Sequence, residues 1–191
     1  MKSLALALPL MSALALAACS TDEASGSGAA SASGAVPASG PMPTAKAVLV
    51  AGDGTEKGMA TVVESGEGLN VTISVSGLPA GLHAAHVHTT GTCTPPDFVS
   101  AGGHWNPMQK QHGKDNPAGM HMGDMPNITI SAGGAGELQF TIPHGTLTTG
   151  ASPLLDADGA AVVIHAAADD MKTDPTGNAG GRLVCGVLKL S

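Results

Sequence analysis

The chain has 191 residues, which is enough for one domain with a buried core once any processed segment is set aside. It is acidic, with a formal net charge of −7 at pH 7, and only 2% of its residues are aromatic. Nucleic-acid binding requires clustered lysine and arginine, and the sequence contains no such cluster, so we expect no nucleic-acid partner.

The N-terminal part has the features of an export signal followed by a tether. Residues 1–18 carry one lysine and then an apolar run shorter than the roughly 18 to 20 residues of a membrane span, which predicts a signal peptide. The segment LAAC at 16–19 resembles a bacterial lipobox and predicts lipidation of Cys19, the alternative being cleavage at a nearby Ala-x-Ala site. Residues 19–43, rich in Ser, Gly, Ala and Pro, predict a flexible linker. We therefore expect a lipid-anchored protein of the bacterial periplasm or cell envelope, on the outer membrane.

Residues 44–191 are predicted to form one all-β domain. In LNVTISVSG, Val71, Ile73 and Val75 alternate with polar residues, as in a strand with one buried face. Eight such runs occur, with turn signals such as GDG at 52–54 between them. They predict an eight-stranded antiparallel β-sandwich or flattened Greek-key barrel.

The segment GLHAAHVH at 81–88 contains three of the chain's eight histidines. In a strand, His86 and His88 point to one face and His83 points to the other. We interpret the first two as metal ligands and His83 as a hydrogen-bonded structural residue. His144, in IPHGTLTTG, is predicted to be a surface histidine of a loop.

The longest interruption of the strand pattern runs from residue 90 to residue 125. A segment of this length without regular structure is normally functional or held by something other than its own core. It contains a set of side chains suited to zinc, namely His104, His112, His121 and Asp124. A histidine-only set, suited to copper, is His86, His88 and His165. A single loop histidine would more often be solvated, but the combination predicts long metal-binding loops.

Two cysteines remain in the predicted domain, Cys93 and Cys185. In an exported chain they favour a structural disulfide over a thiolate metal site. Three methionines in MHMGDM, Met120, Met122 and Met125, could bind copper, but we favour a packing role for them.

These motifs closely resemble those of the copper–zinc superoxide dismutases, in their bacterial periplasmic branch. The resemblance covers essentially the whole predicted domain and keeps the ligand spacing throughout. It rests on GLHAAHVH at 81–88, AGGHWNP at 101–107, H-x7-H-x8-H-x2-D from His104 to Asp124, VIH-x3-DD at 163–170, and GNAGGRLVCG at 177–186.

The resemblance implies two metals that share His104 as a bridge. It places copper at His86, His88, His104 and His165. It places zinc at His104, His112, His121 and Asp124. Asp169 would accept hydrogen bonds from one ligand of each metal, Arg182 would lie beside the open copper position, and Cys93 and Cys185 would form the family disulfide.

The implied activity is the disproportionation of superoxide to oxygen and hydrogen peroxide, with copper alternately reduced and reoxidised and zinc structural. It would protect the cell envelope from superoxide. Family members are dimers or monomers, so a homodimer is one expectation, with Phe98 and Trp105 as candidate contacts. The alternative function is that of a non-enzymatic copper-binding or carrier lipoprotein, which would not need the shared His104, Asp169 or Arg182.

Superoxide is an anion, and the predicted domain has seven basic against thirteen acidic residues. The segment between His165 and Arg182 carries Lys172 together with three aspartates. Local steering of the anion is therefore expected from Arg182 with either Lys172 or the pair Lys110 and Lys114.

Overall fold

The computed structural model describes residues 40–191 of the chain. The predicted signal peptide, the predicted lipidation site Cys19 and the linker up to residue 39 lie outside the described residues. The first strand begins at Thr44, the residue at which the folded domain is predicted to begin. Within residues 40–191, no helix is long and apolar enough to cross a membrane.

The described residues form ten strands and one short 3₁₀ turn, Val99–Ala101. The strands are β1 (Thr44–Ala51), β2 (Glu56–Ser65), β3 (Gly68–Val75), β4 (Gly81–His83), β5 (Ala85–His88), β6 (Ile128–Ile130), β7 (Gly136–Pro143), β8 (Ala161–His165), β9 (Arg182–Val187) and β10 (Lys189–Leu190).

Eight of these strands form one antiparallel sheet, in the order β5-β8-β9-β1-β2-β3-β7, with β10 added beside β1. The other two, β4 and β6, pair with each other. Because β4 leads directly into β5 and β6 turns into β7, this pair joins the two ends of the sheet. The predicted all-β antiparallel fold is confirmed, with the sheet curled towards a flattened barrel.

The eight predicted runs become ten strands because two of them are interrupted. Ala84 separates β4 from β5, since His83 pairs with β6 whereas Ala85 pairs with β8. Leu188 separates β9 from β10, and its backbone N–H donates to the carbonyl of Ala160 at 3.0 Å. The break at Ala84 arises from a change of pairing partner, which the alternating pattern does not encode. The break at Leu188 separates two strands that both pair with β1 in the same register.

The main core lies on the concave side of the sheet. Strand β3 shows the predicted alternation, because Leu69, Val71, Ile73 and Val75 are buried while the residues between them are exposed. Strand β8 is buried on both faces. Its outer face packs under the segment 89–103, where a second core contains Phe98, Ala101, Ala161, Val163 and Cys185.

The proposed dimer contacts Phe98 and Trp105 are buried within the chain, with 0% and 4% of their surface exposed. Their prediction as contacts is therefore wrong, because the outer face of β8 and the main core already cover these aromatic rings. A homodimer stays a prediction, and its contacts would have to come from other residues.

Candidate metal centre

The site lies on the outer face of β5 and β8, under three loops. We call them the disulfide loop (residues 89–103), the metal loop (residues 104–124) and the closing loop (residues 166–181). Ala85 and Val87 of β5 point into the main core, so His86 and His88 point outwards to the loops, as their spacing predicts. His165, at the end of β8, joins them from the neighbouring strand.

Both ends of the metal loop are attached to Val87, the residue between the two β5 histidines. The backbone N–H of Trp105 donates to the Val87 carbonyl at 2.8 Å, and the N–H of Val87 donates to the Gly123 carbonyl at 2.9 Å. A side-chain carbon at position 123 would lie 2.2 Å from the Val87 carbonyl oxygen, so only glycine fits there. These bonds bring His104 and Asp124 next to β5.

The covalent anchor of the disulfide loop is the bond between Cys93 and Cys185, which confirms the predicted disulfide. It joins residues 92 positions apart and ties the loop to β9. The loop carbonyls thereby become fixed hydrogen-bond acceptors beside the site.

Four histidine rings converge in what we call the histidine group, His86, His88, His104 and His165. One ring nitrogen of each lies within 4.8 Å of the corresponding nitrogens of the others. The opposite nitrogen of each ring is directed away from this group and has a separate acceptor. His88 Nδ1 donates to the Gly102 carbonyl at 2.9 Å, and His165 Nδ1 donates to the Gly180 carbonyl at 3.3 Å.

A second cluster, the mixed group, consists of His104, His112, His121 and Asp124. One carboxylate oxygen of Asp124, Oδ1, lies 2.8 Å from His104 Nδ1, 3.0 Å from His112 Nδ1 and 3.2 Å from His121 Nδ1. The Nδ1 atoms of His104 and His121 are 3.4 Å apart. His104 belongs to both groups, because its Nδ1 faces the mixed group while its Nε2 faces the histidine group.

Asp169 connects the two groups from behind. Its carboxylate accepts hydrogen bonds from both groups, Oδ2 from His86 Nε2 at 2.8 Å and Oδ1 from His112 Nε2 at 2.9 Å. All three side chains are fully buried. Each bond fixes the tautomer of its ring and turns the other ring nitrogen, Nδ1, towards a ligand group.

The distances within both groups suit bound metal ions. Ligand atoms that bind one ion at about 2.0–2.1 Å lie about 3–4 Å from one another, which matches the mixed group. Within residues 40–191, His86 Nδ1 and His104 Nε2 are buried polar atoms without a hydrogen-bond partner. An orphaned buried polar atom costs about 1–3 kcal/mol, and a metal ion would satisfy both. Nitrogen with one carboxylate suits zinc, and imidazole alone suits copper.

Burial and neighbouring charges give the histidine rings of the site different pKa values. Burial, followed by the nearby rings, lowers the pKa of His104 to about 4 and that of His165 to about 3. Burial also lowers the pKa of His112, but its contacts with Asp124 and Asp169 outweigh this effect and raise the pKa to about 9. Burial raises the pKa of Asp124, yet the histidines around it hold that pKa well below its usual range.

Arg182 begins β9 beside the histidine group. Its guanidinium donates to the carbonyls of Phe98 and Gly102 in the disulfide loop, at 2.5 and 2.6 Å. The same Gly102 carbonyl accepts the hydrogen bond from His88. A permanent positive charge is therefore held in fixed orientation next to the histidine group.

Two histidines stay apart from both groups, as their sequence context predicts. His83 is buried, and its ring nitrogens face the carbonyls of His165 and Pro79 at 2.8 and 3.0 Å. His144 is exposed in a loop. Met125 is buried in the core and Met122 packs against it, in agreement with the packing role favoured for the loop methionines.

The sequence did not reveal two side chains that support the ligands. The amide of Asn127 clamps the backbone of Asp169, accepting its N–H at 2.7 Å and donating to its carbonyl at 3.0 Å. Asp174, to which the sequence assigned no structural role, accepts the backbone N–H of His112 at 2.6 Å. Both act across long sequence separations, so no local motif could have identified them.

Comparison with known proteins places this fold and site in one family. Residues 56–188 match the family model described as copper/zinc superoxide dismutase. A Cu-Zn superoxide dismutase of Caulobacter vibrioides is 44% identical over 149 residues, covering 76% of this chain and 86% of the relative. One from Aquifex aeolicus is 43% identical over 145 residues, covering 75% and 86%.

The crystal structure of a superoxide-dismutase-like protein from Bacillus subtilis matches with a TM-score of 0.72 and 41% identity, covering 75% of this chain and 97% of that chain. The sequence match, the curled antiparallel sheet and the paired ligand groups point to the same conclusion. The chain belongs to the copper/zinc superoxide dismutase family of enzymes.

Proposed function

We propose that the protein disproportionates superoxide to oxygen and hydrogen peroxide, with copper held by the histidine group and zinc held by the mixed group. The observation that carries the assignment is the shared ring of His104, whose two nitrogens face the two groups. When bound, copper would supply the one-electron oxidation and reduction of superoxide, and zinc a charge that keeps the shared ring in place.

Arg182 binds the substrate in this proposal. Two carbonyls of the disulfide loop occupy part of its guanidinium and fix its direction. The charge and the remaining donors of the guanidinium can then hold a small anion next to the histidine group. Partial burial of the Arg182 guanidinium costs solvation free energy, and Coulombic attraction to the bound anion would offset this cost.

His104 is the group proposed to hold a proton for the departing peroxide. Its Nδ1 is fixed in the mixed group by Asp124, while its Nε2 is the buried nitrogen that faces the histidine group. In the metal-free site, burial lowers the pKa of His104 to about 4, so the ring is neutral at neutral pH. Because Nδ1 donates to Asp124, Nε2 is the nitrogen that can take up a proton and pass it on.

The proposal is tested by metal analysis of residues 44–191 combined with a superoxide decay assay. We expect one copper and one zinc per chain and rapid decay. His88→Gln should lose copper and activity, whereas the matched control His144→Gln, in an exposed loop, should keep both. One metal per chain after reconstitution with copper and zinc would overturn the two-metal assignment.

The second candidate, a copper carrier, predicts ligands that are accessible to a receiving protein. Burial of the ligands supports the enzyme instead, because His86 and His88 are 0% and 1% exposed. In addition, the hydrogen bond from His86 Nε2 to Asp169 fixes the orientation of the His86 ring. A carrier would pass its copper to an excess of a moderate chelator within minutes. For the enzyme we expect the copper to remain bound over hours.

We also propose that the protein is exported and tethered to the bacterial envelope through lipidated Cys19, with residues 20–43 as a spacer, where it would remove superoxide. This proposal rests on the sequence of residues 1–43. Expression in a Gram-negative host with a radiolabelled fatty acid tests it. The wild type should be labelled and sediment with the outer membrane, and Cys19→Ser should be unlabelled and soluble.

A further inference from the structure

We propose that Asp174 is a positioning residue for the zinc ligands His112 and His121, and that it ties the closing loop to the metal loop. The inference rests on the proposed assignment of zinc to the mixed group. It concerns His112 and His121, which lie in the middle and near the end of the metal loop. Within residues 40–191, the pairing inside this loop is limited to one isolated bridge between Gln111 and Gly119.

Asp174 contacts both histidines from outside the mixed group. Its Oδ1 accepts the backbone N–H of His112 at 2.6 Å, and the same oxygen lies 3.8 Å from His121 Nε2. His121 Nδ1 faces the mixed group, so its Nε2 is the nitrogen that needs an outer partner. In the described part of the chain, Asp174 is the charged group that stands at this nitrogen.

The position of Asp174 is built into the closing loop. The side chain of Asp170 accepts hydrogen bonds from the backbone N–H groups of Lys172 and Thr173 and from the Asn178 side chain, at 2.8–3.0 Å. The N–H of Gly177 donates to the Thr173 carbonyl at 2.7 Å, which closes the turn around Asp174. The carboxylate is therefore presented by an ordered turn, although its side chain is 44% exposed.

The two loops also press together at the backbone next to His112. Gly113 has φ +94°, and a side-chain carbon there would lie 2.1 Å from the Met171 carbonyl oxygen. The N–H of Asp115 donates to that carbonyl at 2.9 Å. His112 is consequently held at its ring by Asp169 and at its backbone by Asp174, both from the closing loop.

A partner on the outer nitrogen of a metal-bound histidine fixes its tautomer and orientation, and its loss typically reduces metal affinity about 10–100-fold. Asp169 has this function for His86 and His112. The geometry assigns to Asp174 the anchoring of the His112 backbone through a hydrogen bond at 2.6 Å. It also assigns to Asp174 the placement of a negative charge 3.8 Å from His121 Nε2, which is too far for a hydrogen bond but close enough to orient the ring. Zinc affinity should then depend on a side chain of the loop that also leads to Arg182.

The test compares zinc affinity of Asp174→Ala, Asp174→Asn and wild type, measured by chelator competition on the copper-loaded full domain. We expect a loss of at least tenfold for Asp174→Ala. Asp174→Asn should lose less, because its amide oxygen can still accept the His112 N–H. Asp115→Asn is the matched control. The substitution removes the same charge, and Asp115 lies in the metal loop, where its side chain pairs with the exposed Lys114. It should stay within about twofold of wild type.

Cobalt(II) in the zinc site gives a readout that a change in global stability would not move. Asp174→Ala should shift the visible ligand-field bands of cobalt, with the copper absorption unchanged. Zinc affinity of Asp174→Ala within twofold of wild type would overturn the inference, as would an equal loss in Asp115→Asn, which would indicate a net-charge effect. Failure of the wild type itself to bind zinc would instead overturn the metal assignment.

Discussion

Individual residues of the site differ in charge although they are close neighbours. The rings of His104 and His112 have centroids 5.1 Å apart, yet the pKa of one is about 4 and that of the other about 9. Both rings contact Asp124, but His112 also contacts Asp169, so that it lies between two carboxylates. For His104, burial and the neighbouring rings outweigh its single carboxylate. In the metal-free protein at neutral pH, the His104 ring is therefore neutral, whereas the His112 ring is protonated on both nitrogens and positively charged.

Zinc binding should release the proton of His112, because a metal ligand must be deprotonated. We expect about one proton from this residue at about pH 7.5, and an apparent zinc affinity that rises about tenfold per pH unit until the pH passes the pKa of about 9. Calorimetry in two buffers of different ionisation enthalpy measures the proton count. Asp169→Asn should reduce it by lowering the pKa of His112, and a count near zero for the wild type would contradict the expectation.

In the proposed mechanism Arg182 acts on the anion. Within residues 40–191, its side-chain hydrogen bonds are to the carbonyls of Phe98 and Gly102 and not to a histidine ring of either group. Arg182→Ala should reduce the second-order rate of superoxide decay by roughly ten- to a hundredfold while copper stays bound. Arg182→Lys should fall between the two, since it keeps the charge but loses the planar fork. Copper content and the copper EPR spectrum are the accompanying measurements, and loss of copper from Arg182→Ala would show that its role is structural.

At the scale of elements, rigid strands supply some ligands and loops bring the others to them. Val87 is the attachment point, because its backbone bonds hold the metal loop over β5. The disulfide loop depends on Cys93 and Cys185 and on the small core around Phe98. Its carbonyls in turn orient Arg182 and His88.

Removal of the disulfide should therefore affect both stability and catalysis. Closing a loop of this span contributes about 4–5 kcal/mol on the chain-entropy model, and we expect the double variant Cys93→Ser, Cys185→Ser to lose several kcal/mol of unfolding free energy. Thermal or denaturant unfolding of the metal-loaded protein measures this loss. The superoxide decay rate should also fall, because the acceptors of Arg182 are no longer fixed. Unchanged unfolding would contradict the prediction.

For the whole molecule, the sequence was sufficient wherever function depends on residue type and spacing. Alternation predicted the strands, and residue type and position predicted the mixed group and three members of the histidine group. The sharing of His104 between the groups came from the family resemblance. Contacts made by backbone atoms could not be predicted, such as the Gly102 carbonyl that serves both His88 and Arg182. The exchange of pairing partner at Ala84 and the hydrogen bond between Asp174 and the His112 backbone depend on tertiary packing, which one sequence does not display.

The net charge of the whole molecule repels an anionic substrate, because acidic residues outnumber basic ones by 15 to 8. Of the three lysines predicted to steer superoxide, Lys114 is paired with Asp115 at 2.8 Å, which reduces its contribution. Lys110, in the metal loop, and Lys172, in the closing loop, remain as candidates together with Arg182.

If these cations steer the substrate, the second-order rate should fall as ionic strength rises towards about 0.1 M, where screening reaches down to roughly 10 Å. Lys110→Gln and Lys172→Gln, alone and combined, should flatten this dependence by removing the local attraction. Lys46→Gln is the matched control, because Lys46 is an exposed lysine of β1 outside the three loops, and its salt dependence should equal that of the wild type. The measurement is the rate of superoxide decay across a salt series at constant pH. A wild-type rate that increases with salt would mean that the net negative field dominates, and local steering would then be rejected.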